Sequence, residues 1–203
     1  MARENVSRII AGSAGGRRIS MPPGSATRPT TDRVREAIFS AIAAWAATSA
    51  AAPEEALADL GFCDLYACSG AVGLEAASRG AARVLLVEQN RLAAQHIRRS
   101  AAQLGLNVNV KVADVTSLLY HAPATGFDIV FADPPYDHAS ETIDAQLVTL
   151  IDHGWVSRPG LVVLERSRRS PPPKWPGAVS TTWTRAYGET EVYFGSMEGK
   201  ESV

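Results

Sequence analysis

From residue 61 onward, short apolar runs alternate with longer stretches in which apolar positions recur every three or four residues. The runs at 62–66, 83–87, 108–112, 127–131 and 161–164 read as strands, and the stretches at 72–79, 92–104, 115–120 and 141–151 as helices. Strands separated by helices at this spacing predict right-handed βαβ units and a mostly parallel sheet. Two further strand-like segments, 180–187 and 191–195, are joined through Gly188 and predict a closing hairpin that adds antiparallel strands at one edge. Between that hairpin and the core lies a proline-rich loop, 167–177, which carries Arg168, Arg169 and Lys174.

The first 60 residues follow a different pattern. Short β segments around Ile9-Ile10 and 17–19 flank Gly12-Ser13-Ala14-Gly15-Gly16, which predicts a hairpin. After Pro29 a helix is expected to begin at Thr31 or Asp32, with Val34, Ile38, Ile42 and Trp45 at helical spacing and Arg33 and Glu36 on the other face. The alanine-rich stretch 46–56 shows no period and reads as a frayed helix end running into a linker. The expected organisation is an extension of hairpin and helix over 1–45, a linker over 46–57, an α/β domain over 58–196 and a tail over 197–203.

Composition sharpens this picture at three points. A chain of 203 residues that is 46% hydrophobic can bury one full α/β core and not two. Its formal net charge of -1 hides an asymmetry, because residues 1–40 hold seven arginines against Glu4, Asp32 and Glu36. The other 163 residues carry 13 basic and 18 acidic side chains, so a polyanionic partner is expected at the basic end. The two cysteines, Cys63 and Cys68, sit in one strand-and-loop stretch where a disulfide framework makes little sense, which points to a reducing compartment. With no apolar run of membrane-spanning length and no leader-like start, a cytoplasmic location is expected. His96, His121, His138 and His153 lack ligand spacing, so no metal is expected. Packing is the expected role of Trp175 and Trp183.

The chemistry is concentrated where strands end. Asp64-Leu65-Tyr66-Ala67-Cys68-Ser69-Gly70-Ala71-Val72-Gly73 leaves the first strand of the sheet and opens a helix, and its small residues let backbone approach a ligand closely. Glu88, 18 residues past Gly70, ends the next strand, where a carboxylate can accept both hydroxyls of a ribose; Gln89 follows it. A glycine loop and an acid suit a nicotinamide dinucleotide equally well, and a tight turn alone is the plainer alternative. Asp114, with Val115 behind it, stands after the third strand, placed either to accept from an adenine amine or to cap a helix.

Asp133-Pro134-Pro135-Tyr136, directly after the fourth strand, narrows the choice. Two prolines fix φ and remove two donors, so the loop is stiff and its carbonyls point in a set direction. An exocyclic base amine is a poor nucleophile because its lone pair is delocalised into the ring. The Asp133 carboxylate and the Pro134 carbonyl can hold its two protons and free that lone pair. Tyr136 offers a face for base stacking, worth on the order of 1–3 kcal/mol. An oxidoreductase leaves this tetrapeptide unexplained, and a catalytically silent RNA-binding assembly factor would not need it.

Together these features resemble the class I S-adenosylmethionine-dependent methyltransferases, Rossmann-like folds with a mostly parallel seven-stranded sheet, in the branch acting on amino groups of bases. The amino-terminal segments Arg8-Ile9-Ile10-Ala11-Gly12, Gly16-Arg17-Arg18-Ile19 and the stretch from Arg28-Pro29-Thr30-Thr31-Asp32 to Phe39 resemble those of the RsmD family of 16S rRNA guanine-N2 methyltransferases. The resemblance runs from about Arg8 to Phe194. It implies S-adenosylmethionine as cofactor, held by Asp64, Tyr66, Ala67, Cys68, Ser69, Gly70, Gly73, Glu88, Gln89, Asp114, Val115 and Asp133. It implies catalysis by the tetrapeptide and, as substrate, 16S rRNA in an assembled or partly assembled small ribosomal subunit. Arg17, Arg18, Arg28, Arg33, Arg35, Arg168 and Arg169 are the expected phosphate contacts, which position RNA without reading sequence. Cys68 departs from the family loop, which has glycine there, and a positive φ at that position is expected to strain the backbone. The alternative is a DNA adenine-N6 methyltransferase; such enzymes carry a separate target-recognition region, for which no insertion is long enough.

Overall fold

The computed structural model describes residues 7–19, 31–135 and 137–198. Arg28 and Tyr136, both expected at the site, lie outside the described residues. A short antiparallel hairpin pairs β1 (Ser7–Arg8) with β2 (Arg18–Ile19), and α1 (Asp32–Trp45) follows. Thr31 caps α1 by accepting from the Val34 N–H, as the Thr-Asp boundary predicts. Residues 46–57, expected to be a frayed helix end and linker, form turns and one short 3-10 helix, Pro53–Glu55, and the Thr48 hydroxyl ties them together by donating to the Ala56 carbonyl at 2.7 Å.

The α/β part then alternates as predicted: β3 (Gly61–Leu65), α2 (Ala71–Ser78), β4 (Arg83–Glu88), α3 (Arg91–Leu104), β5 (Asn109–Val112), α4 (Val115–Leu119), β6 (Phe127–Ala132), α5 (Ser140–Asp152), β7 (Val156–Ser167), β8 (Thr181–Tyr187) and β9 (Thr190–Met197). The seven-stranded sheet has the order β5-β4-β3-β6-β7-β9-β8, parallel from β5 to β7 and antiparallel where β9 joins β7 and β8. The chain starts in the middle of the sheet, winds outward through β4 and β5, then returns to β6 beside β3. That reversal between β3 and β6 opens a crevice at the carboxyl ends of the strands, which is where ligands bind in open α/β sheets.

Both faces of the sheet are covered. One face packs Phe62, Leu86, Phe131, Val163 and Phe194 against Val34, Ile38 and Ile42 of α1 and Ala76 and Ile97 of α2 and α3. On the other, Cys63, Val87, Val130 and Leu164 meet Leu118 of α4 and Ile143, Leu147 and Leu150 of α5. The interior strands are buried on both faces, so their sequences read as mostly apolar runs with little alternation, interrupted by Asp64 in β3 and Asp128 in β6. Trp183 stacks flat on Phe194, 4.9 Å between centroids, and Trp175 lies against Gly195, where any Cβ would sit 2.6 Å from its ring; both tryptophans pack. No helix among the described residues is long and apolar enough to cross a membrane.

The amino-terminal hairpin is clamped to α2. Ile9 and Ile19 are fully buried over Leu74 and Leu104, each worth about 1.5–3 kcal/mol of burial. Gly12, at φ +84, passes so close to the Ser78 carbonyl that a Cβ would lie 1.9 Å from its oxygen. The Ser78 hydroxyl donates to the Ala11 carbonyl and accepts from the Ala14 N–H, while the Glu75 carboxylate accepts from the Ile10 and Ala11 N–H groups.

This packing corrects one expectation. Arg35, read as a phosphate contact, is fully buried, with its guanidinium on Asp32 at 3.0 Å, 3.7 Å from Glu75 and within reach of the Arg8 carbonyl and the Ser7 hydroxyl. Burial holds its pKa below the ordinary guanidinium value, with Glu75 and then Asp32 opposing that shift. Its charge is consumed inside the fold, so no phosphate reaches it. Arg17 is exposed, but it donates to the Gln103 and Leu104 carbonyls at the end of α3.

Candidate active site

The loop after β3 is held in a shape that ordinary residues disfavour. Tyr66 at φ 64 and Cys68 at φ 54 occupy the left-handed region, as does Gly70 at φ 80. Each non-glycine residue there costs on the order of 1–2 kcal/mol, so the expected strain at Cys68 is present, and the surroundings hold it in place. The Ala67 N–H donates to the Val87 carbonyl, the Cys68 N–H to Glu88 Oε2 at 2.8 Å and the Gly70 N–H to the Ala67 carbonyl. Gly70 and Gly73 cannot be replaced cheaply, because a Cβ would meet Ile97 at 2.9 Å or Leu86 at 2.6 Å. Ser69 is buried within the same turn.

Three acidic side chains border this loop, each at the carboxyl end of a strand. Glu88 is half-buried and accepts from the Cys68 N–H through one oxygen and the Asn90 N–H through the other, with lone pairs remaining on both for hydroxyl donors. Gln89 is exposed beside it. Asp114 caps α4 by accepting from the Ser117 N–H at 2.8 Å, and Val115 is buried behind it. Asp64 is buried under the loop and accepts from the Gly73 N–H at 2.8 Å.

Burial, with a smaller push from Glu88 and against the Gly73 hydrogen bond, raises the Asp64 carboxyl to about 7. The folded protein therefore holds a proton that the unfolded chain has released, and the Asp64 contribution to stability falls as pH rises from about 4 to about 7. Asp64→Asn keeps an acceptor for Gly73 and removes the titration. We expect urea unfolding at pH 5 and pH 8 to show a smaller loss of stability at high pH in this variant than in the parent, and an equal loss in both would exclude Asp64 as the source.

Asp133 follows β6 at the crevice, one strand across from Asp64, with Pro134 buried and Pro135 half-buried behind it. Its carboxyl lies well above the usual range because of burial first, then the charges of Glu165 and Asp64, with Arg166 opposing. The edge thus carries an excess of carboxyl groups, an environment suited to a cationic ligand. The Tyr66 ring turns into the layer under α5: its hydroxyl donates to Gln146 Oε1 at 2.8 Å, and Gln146 Nε2 donates to the Thr116 hydroxyl. Burial raises that phenol to about 12.

The crevice thus brings together Asp64, Ala67, Cys68, Ser69, Gly70, Gly73, Glu88 and Asp133, with Asp114 and Val115 two strands out. Arg18, Arg33, Arg168 and Arg169 are exposed; Arg168 also donates to the Gly188 carbonyl, and Arg169 pairs with Glu189 at 3.3 Å. Glu165 and Arg166 were missed by the sequence reading, although two charged residues directly after the apolar run 161–164 follow the same strand-end rule that marks Glu88 and Asp133.

The model of the family described as conserved hypothetical protein 95 matches residues 7–196. Ribosomal RNA small subunit methyltransferase D of Escherichia coli (strain K12) is 36% identical over 161 residues, 78% of this chain and 73% of that protein. YlbH of Bacillus subtilis (strain 168) is 31% identical over 189 residues, 91% of this chain and 96% of that one. Among solved structures, yhhF from Escherichia coli superposes with a TM-score of 0.80 at 30% identity, covering 96% of this chain and 99% of the other. The fold is that of the S-adenosylmethionine-dependent methyltransferases. With the match running almost the whole length of hairpin, helix and sheet, the chain belongs to the conserved hypothetical protein 95 family, the RsmD family.

Proposed function

We propose that this chain transfers a methyl group from S-adenosylmethionine to the exocyclic N2 amine of a guanine in 16S rRNA of the small ribosomal subunit. The observation that carries the reading is the placement of Asp133 and Pro134 at the sheet crevice, one strand across from the glycine loop and its bordering acids. The name of the Escherichia coli relative supports rRNA of the small subunit as the substrate class.

The residues present fit this cofactor. Gly70 and Gly73 let backbone approach it, Glu88 retains lone pairs for ribose hydroxyls, Asp114 keeps one oxygen for an adenine amine, and Asp64 and Asp133 offset positive charge. When bound, S-adenosylmethionine supplies a methyl group already activated on a sulfonium. The task left to the protein is orientation, worth roughly 7–11 kcal/mol of barrier when geometry is productive. Asp133 and the Pro134 carbonyl accept hydrogen bonds from the two amine N–H groups and so turn the nitrogen lone pair toward the methyl. Once nitrogen is alkylated, its proton is acidic and leaves readily, so Asp133 need not be a strong base.

The substrate base must leave its stack, at a cost of a few kcal/mol that is smaller in an RNA loop. Arg18, Arg33, Arg168 and Arg169 are the proposed phosphate contacts, since phosphate contacts set position without reading sequence. Transfer of labelled methyl from S-adenosylmethionine to small subunits lacking the modification, beside naked rRNA and duplex DNA, tests the reading. N2-methylguanosine in subunit rRNA is the expected product; N6-methyladenine in DNA, or no transfer, overturns it.

A further inference from the structure

Arg166 is close enough to Asp133 for its charge to oppose the rise of that carboxyl, yet it has no assigned task. β6 and β7 run in parallel register with Ala132 beside Leu164, so Pro134 and Arg166 each stand two residues past that pair, on the sheet face covered by α5. Arg166 is 7% exposed. Its Nη2 lies 3.5 Å from the His138 carbonyl, a marginal hydrogen bond, and its Nη1 is buried with no hydrogen-bond partner among the described residues. His138 Nδ1 is buried and unpartnered in the same way, and the His138 ring sits edge-on to Tyr66 at 5.6 Å. Buried guanidinium N–H groups are rarely left unpaired, because they forfeit their hydration without replacement. The orphaned Arg166 Nη1, on a side chain that reaches the loop after Asp133 at the His138 carbonyl, marks a place for an acceptor oxygen.

We infer that Arg166 is a specificity residue that donates to the O6 carbonyl of the guanine whose N2 amine Asp133 holds. This rests on the guanine-N2 reading above. In guanine, N2 and O6 occupy opposite ends of the Watson–Crick edge, so a base with its amine on Asp133 and Pro134 carries its carbonyl away from them along one line. An adenine docked by its amine presents only a C–H at that end and leaves the buried guanidinium unanswered. A site built to hydrogen-bond a substrate group rejects analogues that lack it, since its own polar atoms then stay unpaired. Arg166 thereby favours guanine over adenine within one shared amine-methylating loop.

The test uses small subunits reconstituted with rRNA carrying either guanine or 2-aminopurine at the methylated position; 2-aminopurine keeps the amine and lacks O6. The wild-type protein is expected to favour guanine in kcat/KM by about 10- to 100-fold, the range of one good charged contact to a base. In Arg166→Met the guanine value should fall by that factor while the 2-aminopurine value holds, so the preference collapses toward unity. The dissociation constant for S-adenosylmethionine, measured by calorimetry, should not change. Equal use of both bases by the wild-type protein overturns the assignment without any variant being made. It is equally overturned if the preference survives in Arg166→Met, or if that variant chiefly weakens S-adenosylmethionine, which would place the acceptor on the cofactor carboxylate. Failure of the wild-type protein to methylate guanine at all removes the guanine-N2 reading itself, and this assignment with it.

Discussion

Asp133→Ala is expected to lower the methyl-transfer rate by about a thousandfold or more while leaving the dissociation constant for S-adenosylmethionine within a few-fold of the parent. The rate estimate rests on the loss of an oriented polar group acting only as the reaction proceeds, which in other active sites costs about 10²–10³. Some loss of positioning adds to it, because the amine keeps only the Pro134 carbonyl as an acceptor and can rotate its lone pair away from the methyl. Cofactor affinity is spared because the hydrogen bonds from loop N–H groups run to Glu88 and Asp64. Asp133→Asn retains one acceptor oxygen and should keep more activity than the alanine variant. Single-turnover rates beside calorimetric binding separate the two quantities. A rate within tenfold of the parent would remove Asp133 from the chemistry.

Local pattern revealed most of the sheet and the strand-end acids, for a physical reason. A parallel strand buried on both faces is mostly apolar, so a carboxylate at or just past its end, as at Glu88 and Asp133, stands out against its surroundings. β7 was read only as 161–164 and runs over Val156–Ser167, because Pro159 and Gly160 interrupt its apolar text. The pairing jumps there from Phe127 beside Val156 to Ile129 beside Leu161, so the strand absorbs the break as an irregularity and continues. Arg35 was legible in part. It lies three, four and seven residues before Ile38, Phe39 and Ile42, on the buried stripe of α1, whereas Arg33 falls on the exposed side. Treating the arginines of the basic end as one group hid that difference. What no local pattern contained was the counter-charge at Glu75, which reaches Arg35 only after α2 has folded against the hairpin.

Glu75→Ala should destabilise the protein by about 3–5 kcal/mol, the loss found when a buried ion pair is broken from one side. Glu75 is fully buried and accepts from the Ile10 N–H at 2.7 Å, the Ala11 N–H at 3.0 Å and Arg79 Nε at 2.8 Å, with Arg35 Nε at 3.7 Å. Its removal strands two backbone donors and a buried guanidinium for which it is the leading opposing charge. Arg79 can turn toward water at its partly exposed edge, whereas Arg35 has no route out. Adding Arg35→Leu to Glu75→Ala should therefore recover part of the loss, because the uncompensated charge goes with it, and the two changes will not be additive. Urea unfolding gives the energies, and amide exchange at Ile10 and Ala11 reports whether the hairpin has detached from α2. A loss below about 1 kcal/mol would show that apolar contacts at Ile9 and Ile19 hold the hairpin by themselves. The functional consequence follows from the same geometry. α2 begins just after Gly70, at the end of the loop that follows β3, and carries Glu75 in its middle, so the clamp fixes the hairpin that bears Arg18 relative to the crevice. Methylation of subunits should fall in Glu75→Ala even at temperatures where the sheet stays folded and S-adenosylmethionine still binds.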